Sequence, residues 1–203
     1  MTAEALARAI VVAGGVTFIV FAQVARGRAV AQRGPSVRVA RGVAQALPYF
    51  FWVPYVVVAF GIGPQIPVPD AIVALGLTLT AGGVALAIWS IITLGRHYDL
   101  VLEIHAGHEL VRSGPFRFVR HPVYTGLALH FIGACLATGN VLLAIGMLLV
   151  TLPTFVIRAQ AEEQLLREQF GAAYDRYAEE VPMLVPGPHW AGRAGRRPPR
   201  ARS

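Results

Sequence analysis

Charge is scarce in this 203-residue chain. Only 14% of its residues are Asp, Glu, Lys or Arg, against about 25% in an ordinary soluble domain. The shortage is also uneven. No charged residue occurs from Ala9 to Ala25 or from His121 to Ile157, and Asp70 is the only one between Gly42 and Gly95. Water-soluble helices do not stay uncharged over such lengths. With 55% hydrophobic residues and a mean hydropathy of +0.56, the chain reads as an integral membrane protein. Lysine is absent, and the net charge of +7 comes from 18 arginines. These arginines flank apolar stretches rather than covering a soluble basic face, so nucleic acid is not an expected partner. Cysteine is nearly absent too. Cys135 alone, inside an apolar segment, excludes an internal disulfide and a cysteine metal cluster, and no metal is expected.

The apolar segments that remain are residues 6–25, 43–63, 71–94, 122–137 and 141–157. The first three reach the roughly 20 residues that a spanning helix needs. The last two are short, since sixteen helical residues cover about 24 Å of a hydrocarbon core about 30 Å thick. They are joined by the turn signal Thr138-Gly139-Asn140, so they read as a helical hairpin that crosses barely or incompletely. The first segment follows Arg8 and precedes "AQVA", as in a signal peptide. Arg26, Arg28, Arg33, Arg38 and Arg41 come next, and such a run resists translocation.

Arginine counts orient the chain. The basic segments 26–41 and 95–120 face the cytoplasm, and the "GPQIPVPD" loop, which carries no positive charge, lies outside. The fold class expected is all-α and polytopic, with five transmembrane helices, the N-terminus out and the C-terminus in. Residues 158–185 carry Leu165, Leu166, Phe170, Tyr174, Tyr177 and Val181 at near-helical spacing. This predicts an amphipathic helix that continues the last span along the membrane surface. The organisation expected is three N-terminal spans (1–94), a catalytic core (95–186) and a disordered basic tail (187–203) that attracts anionic lipid.

Three stretches could carry chemistry. In "GPFRFVRHPVYTG", Pro122 suits the first position of a helix, whose N-terminus favours an anion. His121, Arg120 and Tyr124 sit on or beside that first turn. The plainer reading makes Arg117 and Arg120 membrane anchors and His121 a helix cap. On the other arm of the hairpin, Arg158 and Glu162 are four residues apart and share a helix face, with Glu163 beside them. The short turn brings His121, Tyr124, Arg158 and Glu162 to one level at the membrane surface. An ion pair there could equally be a solvated one of little worth. The third stretch, "GHELV", offers Gly107 for close backbone approach, His108 and Glu109 as exposed polar groups, and Leu110 and Val111 as apolar ones.

In this order "GHELV", "GPFRFVRHPVYTG" and "EEQLLREQFGAAYDRYAEEVPMLVP" resemble the isoprenylcysteine carboxyl methyltransferase family and its bacterial relatives. The resemblance covers residues 94–186, and the three N-terminal spans match only as generic membrane helices. It implies a methyltransferase in a bacterial plasma membrane that uses S-adenosylmethionine. No GxGxxG fingerprint of the soluble Rossmann type is present. Carried over by motif, His108, Glu109, Leu110, Val111 and Phe116 contact the cofactor, Phe116 standing where the family often has tyrosine. His121, Pro122, Val123 and Tyr124 line its other side, and Glu162 binds it as well. Arg158 meets the substrate carboxylate. The family's cofactor-contacting glutamine falls at Val101, and Glu180 stands where relatives often have arginine.

The expected acceptor is a lipophilic small molecule or prenylated substrate that enters from the membrane lipid and is methylated on a carboxylate. Three other readings stay open. One is N-methylation of a phospholipid amine. Another is a nicotinamide-dependent reductase of the sterol-reductase type, which shares a similar "RHPxYxG" hairpin. The third is a non-catalytic membrane protein that keeps the scaffold. The sequence leaves the oligomeric state unassigned.

Overall fold

A computed structural model describes residues 2–32, 34–39, 52–101 and 103–187. Helix α1 runs Ala3–Gln32, α2 Trp52–Phe60, α3 Asp70–Leu94, α4 Pro122–Thr138, α5 Val141–Gly146, α6 Leu152–Phe170 and α7 Ala172–Glu180. A wide π-helical stretch, Met147–Thr151, joins α5 to α6. Among the described residues, three helices are long and apolar enough to cross a membrane: Ala3–Gln32, Asp70–His97 and Val141–Phe170. Residues 43–51 of the expected second span lie outside the described residues, and α2 falls in its remainder; the expected basic tail lies outside them from residue 188 onward.

The all-α expectation needs one correction. Strands β1 (Ser36–Val39) and β2 (Glu103–His105) form a two-stranded antiparallel sheet that pairs Ser36 with His105 and Val39 with Glu103. Runs of three and four residues are too short to show an alternating pattern. The sheet ties the segment after α1 to the segment before "GHELV".

The hairpin also differs from expectation. Its second arm, expected to cross barely or incompletely, belongs to a 30-residue helical stretch, Val141–Phe170, that is long and apolar enough to cross. The main partner of α4 is α3 rather than that arm. The seam is built from glycines spaced seven apart, Gly76 and Gly83 on α3 against Gly126 and Gly133 on α4. A Cβ at Gly126 would lie 2.6 Å from the Gly83 carbonyl oxygen, and one at Gly133 would lie 2.5 Å from that of Gly76. Two backbones touch directly, the packing that small residues permit between membrane helices. Thr80 lies between the glycine pairs and donates to the His130 carbonyl at 3.3 Å.

At one end of the bundle, the Thr138–Val141 turn pairs with the loop before α3. Asn140 accepts from Leu143 N–H at 2.8 Å, and its own Nδ2 donates to the Ile62 carbonyl at 2.9 Å. The functional candidates all collect at the other end. There the predicted continuous amphipathic helix is broken. Gly171 (φ +51°) ends α6, and α7 turns back beneath it. The apolar stripe is used within the protein: Leu165 packs on Ile104 of β2, and Tyr174 and Tyr177 are buried.

The glycine seam predicts a specific sensitivity. G126V should place a branched side chain against the α3 backbone and lower stability by about 3 kcal/mol or more. The melting temperature of detergent-solubilised protein measures this, with G146V as the control, because nothing lies within 4 Å of a Cβ there.

Candidate active site

The start of α4 is where the sequence places it, with Pro122 at the first helical position. His121 does not cap the helix with its ring. The two N–H groups ahead of the helix are already engaged, Arg120 N–H by the Pro182 carbonyl at 2.9 Å and His121 N–H by that of Met183 at 3.0 Å. Thr125 Oγ1 donates to the Leu184 carbonyl at 2.7 Å. The segment after α7 therefore lies along the helix start, and the anion site expected there is partly filled by the chain itself.

Arg120 is neither anchor nor ligand-facing cation alone. Nearly buried, it meets Glu163 Oε1 through Nε at 2.8 Å and Nη2 at 2.7 Å. Its Nη1 donates to the carbonyls of Ala178, at 2.7 Å, and Val181. Arg167 donates to the other oxygen of Glu163 at 3.0 Å. Arg120 and Glu163 thus tie the segment before α4 to α6, and Arg120 extends the tie to α7 through the Ala178 carbonyl. The pair is charge-assisted at both ends.

The buried His121 ring lies between the two acids, with Nε2 3.3 Å from Glu163 and Nδ1 3.5 Å from Glu162. Tyr124 stacks on it at 5.8 Å between ring centres. The Tyr124 hydroxyl donates to Glu162 at 3.4 Å and accepts from Arg158 Nε at 3.3 Å. Arg158 is buried and also donates to the Leu100 carbonyl at 2.8 Å. The structure therefore brings His121, Tyr124, Arg158 and Glu162 together. Arg158 and Glu162 meet through the Tyr124 hydroxyl rather than as a surface ion pair.

Two adjoining cavities of about 80 Å³ each flank this cluster. His121, Pro122, Val123, Tyr124 and Arg158 line the first. His108, Glu109, Leu110 and Val111 line the second, with Val101. Phe116 and Glu162 line both. Glu109 is the most exposed of these and pairs with Arg96 at 2.6 Å. Gly107 permits no close approach, since nothing lies within 4 Å of a Cβ there; its φ of +74° is the reason for glycine.

Sequence reasoning missed Tyr98, Asp99 and Tyr174. Asp99 and Tyr98 line the first cavity, and Tyr174 lines the second. Asp99 accepts from Arg26 Nε and Val101 N–H, both at 3.0 Å. With Glu103 and His105 it brings possible metal-ligand atoms within 4.8 Å of one another. The Arg26 guanidinium already balances one of those charges. Asp99 was visible in the sequence as the first acid after Asp70. Tyr98 carried no signal. Tyr177 was visible only as part of an apolar stripe, yet its hydroxyl donates to the Phe116 carbonyl at 2.7 Å.

The phospholipid methyltransferase family matches residues 71–173, half of the chain. The chain belongs to that family. The match begins in α3, earlier than the motifs of residues 94–186 suggest, so α3 is part of the family core rather than a generic span. Similar proteins include protein-S-isoprenylcysteine O-methyltransferase B of Arabidopsis thaliana, 34% identical over 113 residues, covering 55% of this chain and 57% of that protein. The Xenopus laevis protein-S-isoprenylcysteine O-methyltransferase is 31% identical over 114 residues, covering 55% and 40%. Among solved structures, the eukaryotic intramembrane Ras methyltransferase ICMT aligns with a TM-score of 0.54 and 25% identity, covering 72% of this chain and 49% of that one. The chain spans a little over half the length of the plant relatives it matches.

The acids around His121 predict a pH dependence. Burial alone lowers its pKa, but the hydrogen bonds its ring donates to Glu162 and Glu163, with their negative charges, outweigh burial and raise it above 6.5. A raised folded-state pKa adds stability that is complete below the ordinary value and is lost as pH rises through the folded value. The melting temperature should therefore fall as pH rises from about 6.5 through that raised value. H121Q should remove this part of the profile, and an unchanged slope in H121Q would assign the effect to another group.

Proposed function

We propose that this integral membrane protein is an S-adenosylmethionine-dependent methyltransferase that esterifies the carboxylate of a lipophilic, isoprenylcysteine-like acceptor. The observation that carries the reading is Arg158, a buried guanidinium in a cavity it shares with Tyr124 and Glu162. The names of the relatives point to the same chemistry.

The residues present suit the cofactor. Glu162 offers a carboxylate to both cavities, for a positively charged or hydroxylated part. Leu110 and Val111 offer apolar surface for an adenine. Tyr174 lines the second cavity with a buried hydroxyl that has no hydrogen-bond partner among the described residues, a donor for a polar group of the ligand. His108, Glu109 and Phe116 complete that side, with His121, Pro122, Val123 and Tyr124 opposite. When bound, the cofactor supplies an electrophilic methyl group on a sulfonium.

The chain's own work is then placement. An ionised carboxylate needs no general base; it needs its oxygen held in line and close. Arg158 can grip it through two parallel hydrogen bonds, and Tyr124 fixes the spacing between that grip and Glu162. Poor access of water strengthens the attraction. The membrane arrangement we infer has five spans, the N-terminus outside, and the site and C-terminus in the cytoplasm of a bacterial cell. Residues 1–94 carry three spans, 95–186 the catalytic core and 187–203 a lipid-attracted tail.

A second reading follows from the family's name, an amine acceptor on a phospholipid. Arg158 opposes it, because a fixed cation repels an ammonium, and a hydrogen bond from it to a free amine would occupy the lone pair that must attack the methyl.

Membranes incubated with methyl-labelled cofactor and a panel of lipophilic acids and amines should label an acid. R158K should keep the charge, lose the planar fork and reduce turnover about 100-fold, with cofactor binding retained. E162Q should instead weaken cofactor binding about tenfold, read as reduced thermal stabilisation by S-adenosylhomocysteine. Stabilisation by NADPH in its place would support the reductase reading, and labelling of an amine with R158K fully active would overturn the carboxylate assignment.

A further inference from the structure

Tyr98 follows the 3-10 turn Gly95–His97, whose first carbonyl holds its N–H at 3.2 Å. Its ring belongs to the main hydrophobic core, with Phe18 and Leu127, and the residue is 4% exposed. Its hydroxyl is buried and has no hydrogen-bond partner among the described residues. A buried hydroxyl left without a partner is costly, and such a group in a folded protein calls for an explanation. The ring could have been a phenylalanine at no loss to the packing.

The place of the residue points to an explanation. Tyr98 lines the first cavity together with Arg158 and Tyr124. It is close enough to interact electrostatically with Tyr124, Asp99 and Arg158. Burial, with Tyr124 and Asp99 nearby, pushes its pKa upward, so it is a neutral O–H donor at any physiological pH. Arg158 spends N–H groups on Tyr124 and the Leu100 carbonyl, which fixes the guanidinium against the same wall that carries Tyr98.

We propose that the Tyr98 hydroxyl is the second hydrogen-bond donor, beside Arg158, to the carboxylate of the methyl acceptor. The inference rests on the carboxylate reading above. A carboxylate has lone pairs to spare after an arginine has gripped it, and a neutral donor of this kind adds recognition without adding charge. An oxygen that carries negative charge gains from both the Arg158 cation and the Tyr98 O–H, so the pair favours an anionic oxygen group. Because the ring is locked in the core, little side-chain freedom is lost when the bond forms.

Y98F removes one oxygen and keeps the ring. Wild type and Y98F are compared in detergent with an S-prenylated N-acetylcysteine and a long-chain fatty acid as methyl acceptors. The carboxamide of the first serves as a competitor. In Y98F, KM for the methylated acid should rise about tenfold, with stabilisation by S-adenosylhomocysteine unchanged. The cofactor-free protein should melt at the same temperature or higher, because an unsatisfied group has gone. The carboxamide, which lacks the charge that Arg158 grips, should inhibit both proteins only weakly. Equal KM values overturn the Tyr98 assignment alone. A lower melting temperature together with lost stabilisation by S-adenosylhomocysteine makes the hydroxyl structural and overturns it as well. If wild type methylates neither acid while labelling an amine, the carboxylate reading falls and Tyr98 falls with it.

Discussion

The pair of Arg120 and Glu163 sets the level at which everything else in the site meets. Arg120 precedes α4, Glu163 lies on α6, and their side chains are 11% and 5% exposed. Two ions taken this far from water gain little net stability from their attraction. Removing one is another matter, since it strands the other and costs about 3–5 kcal/mol. Such a pair therefore specifies register more than it stabilises. With Arg120 also gripping carbonyls of Ala178 and Val181, α4 can slide along α6 only by breaking every contact at once. His121 and Glu162 sit one residue beyond and one residue before the two partners, so their separation is inherited from this lock.

The glycine seam carries that register across to α3. Where two backbones touch, the helices have no side chains to slide over, and α3 must end at a fixed height beside the start of α4. That end is the turn leading to Tyr98 and Asp99. A Cβ at Gly114 would lie 2.9 Å from Thr93 Oγ1, so the loop before α4 also sits against the last turns of α3. Packing in the apolar interior thus determines which loop residues face Arg158. The sheet of β1 and β2, and the bond from Arg26 to Asp99, tie the same loop to α1.

What could be read from the sequence divides along the same line. The start of α4 was legible because Pro122 is a local signal, and the meeting of His121 and Tyr124 with Arg158 and Glu162 because a short turn joins their helices. The dominance of the α3–α4 contact was not legible, although the seven-residue spacing of Gly76 and Gly83, and of Gly126 and Gly133, is present in the sequence. Glycine in an apolar run reads as tolerance until the facing helix is known. The break at Gly171 was hidden by a stripe of Leu165, Phe170, Tyr174 and Tyr177 that continues across it at helical spacing. The role of Arg120 was open because a basic residue beside an apolar segment has a sufficient explanation in membrane orientation. Only the positions of Glu163 and the Ala178 carbonyl distinguish the two.

The choice of acceptor in the proposed reaction comes down to what a buried cation does in a poorly hydrated cavity. Two unit charges 4 Å apart interact by about 1 kcal/mol in water and about 4 kcal/mol at an effective dielectric constant of 20. The same figures apply with opposite sign to an ammonium. Arg158 is buried, so it works nearer the second value, and one side chain then separates acids from cationic amines by several kcal/mol. Glu162 would offset part of this for a cation, but its side chain is 38% exposed, and solvent screens it more. The imbalance between a buried arginine and a half-exposed glutamate, held at one level by the Tyr124 hydroxyl, therefore favours an anion where Arg158 faces the cavity. In the proposed reaction it leaves Glu162 to the sulfonium cofactor. A family defined by a shared core can divide between acid and amine acceptors on such an imbalance without any change of fold.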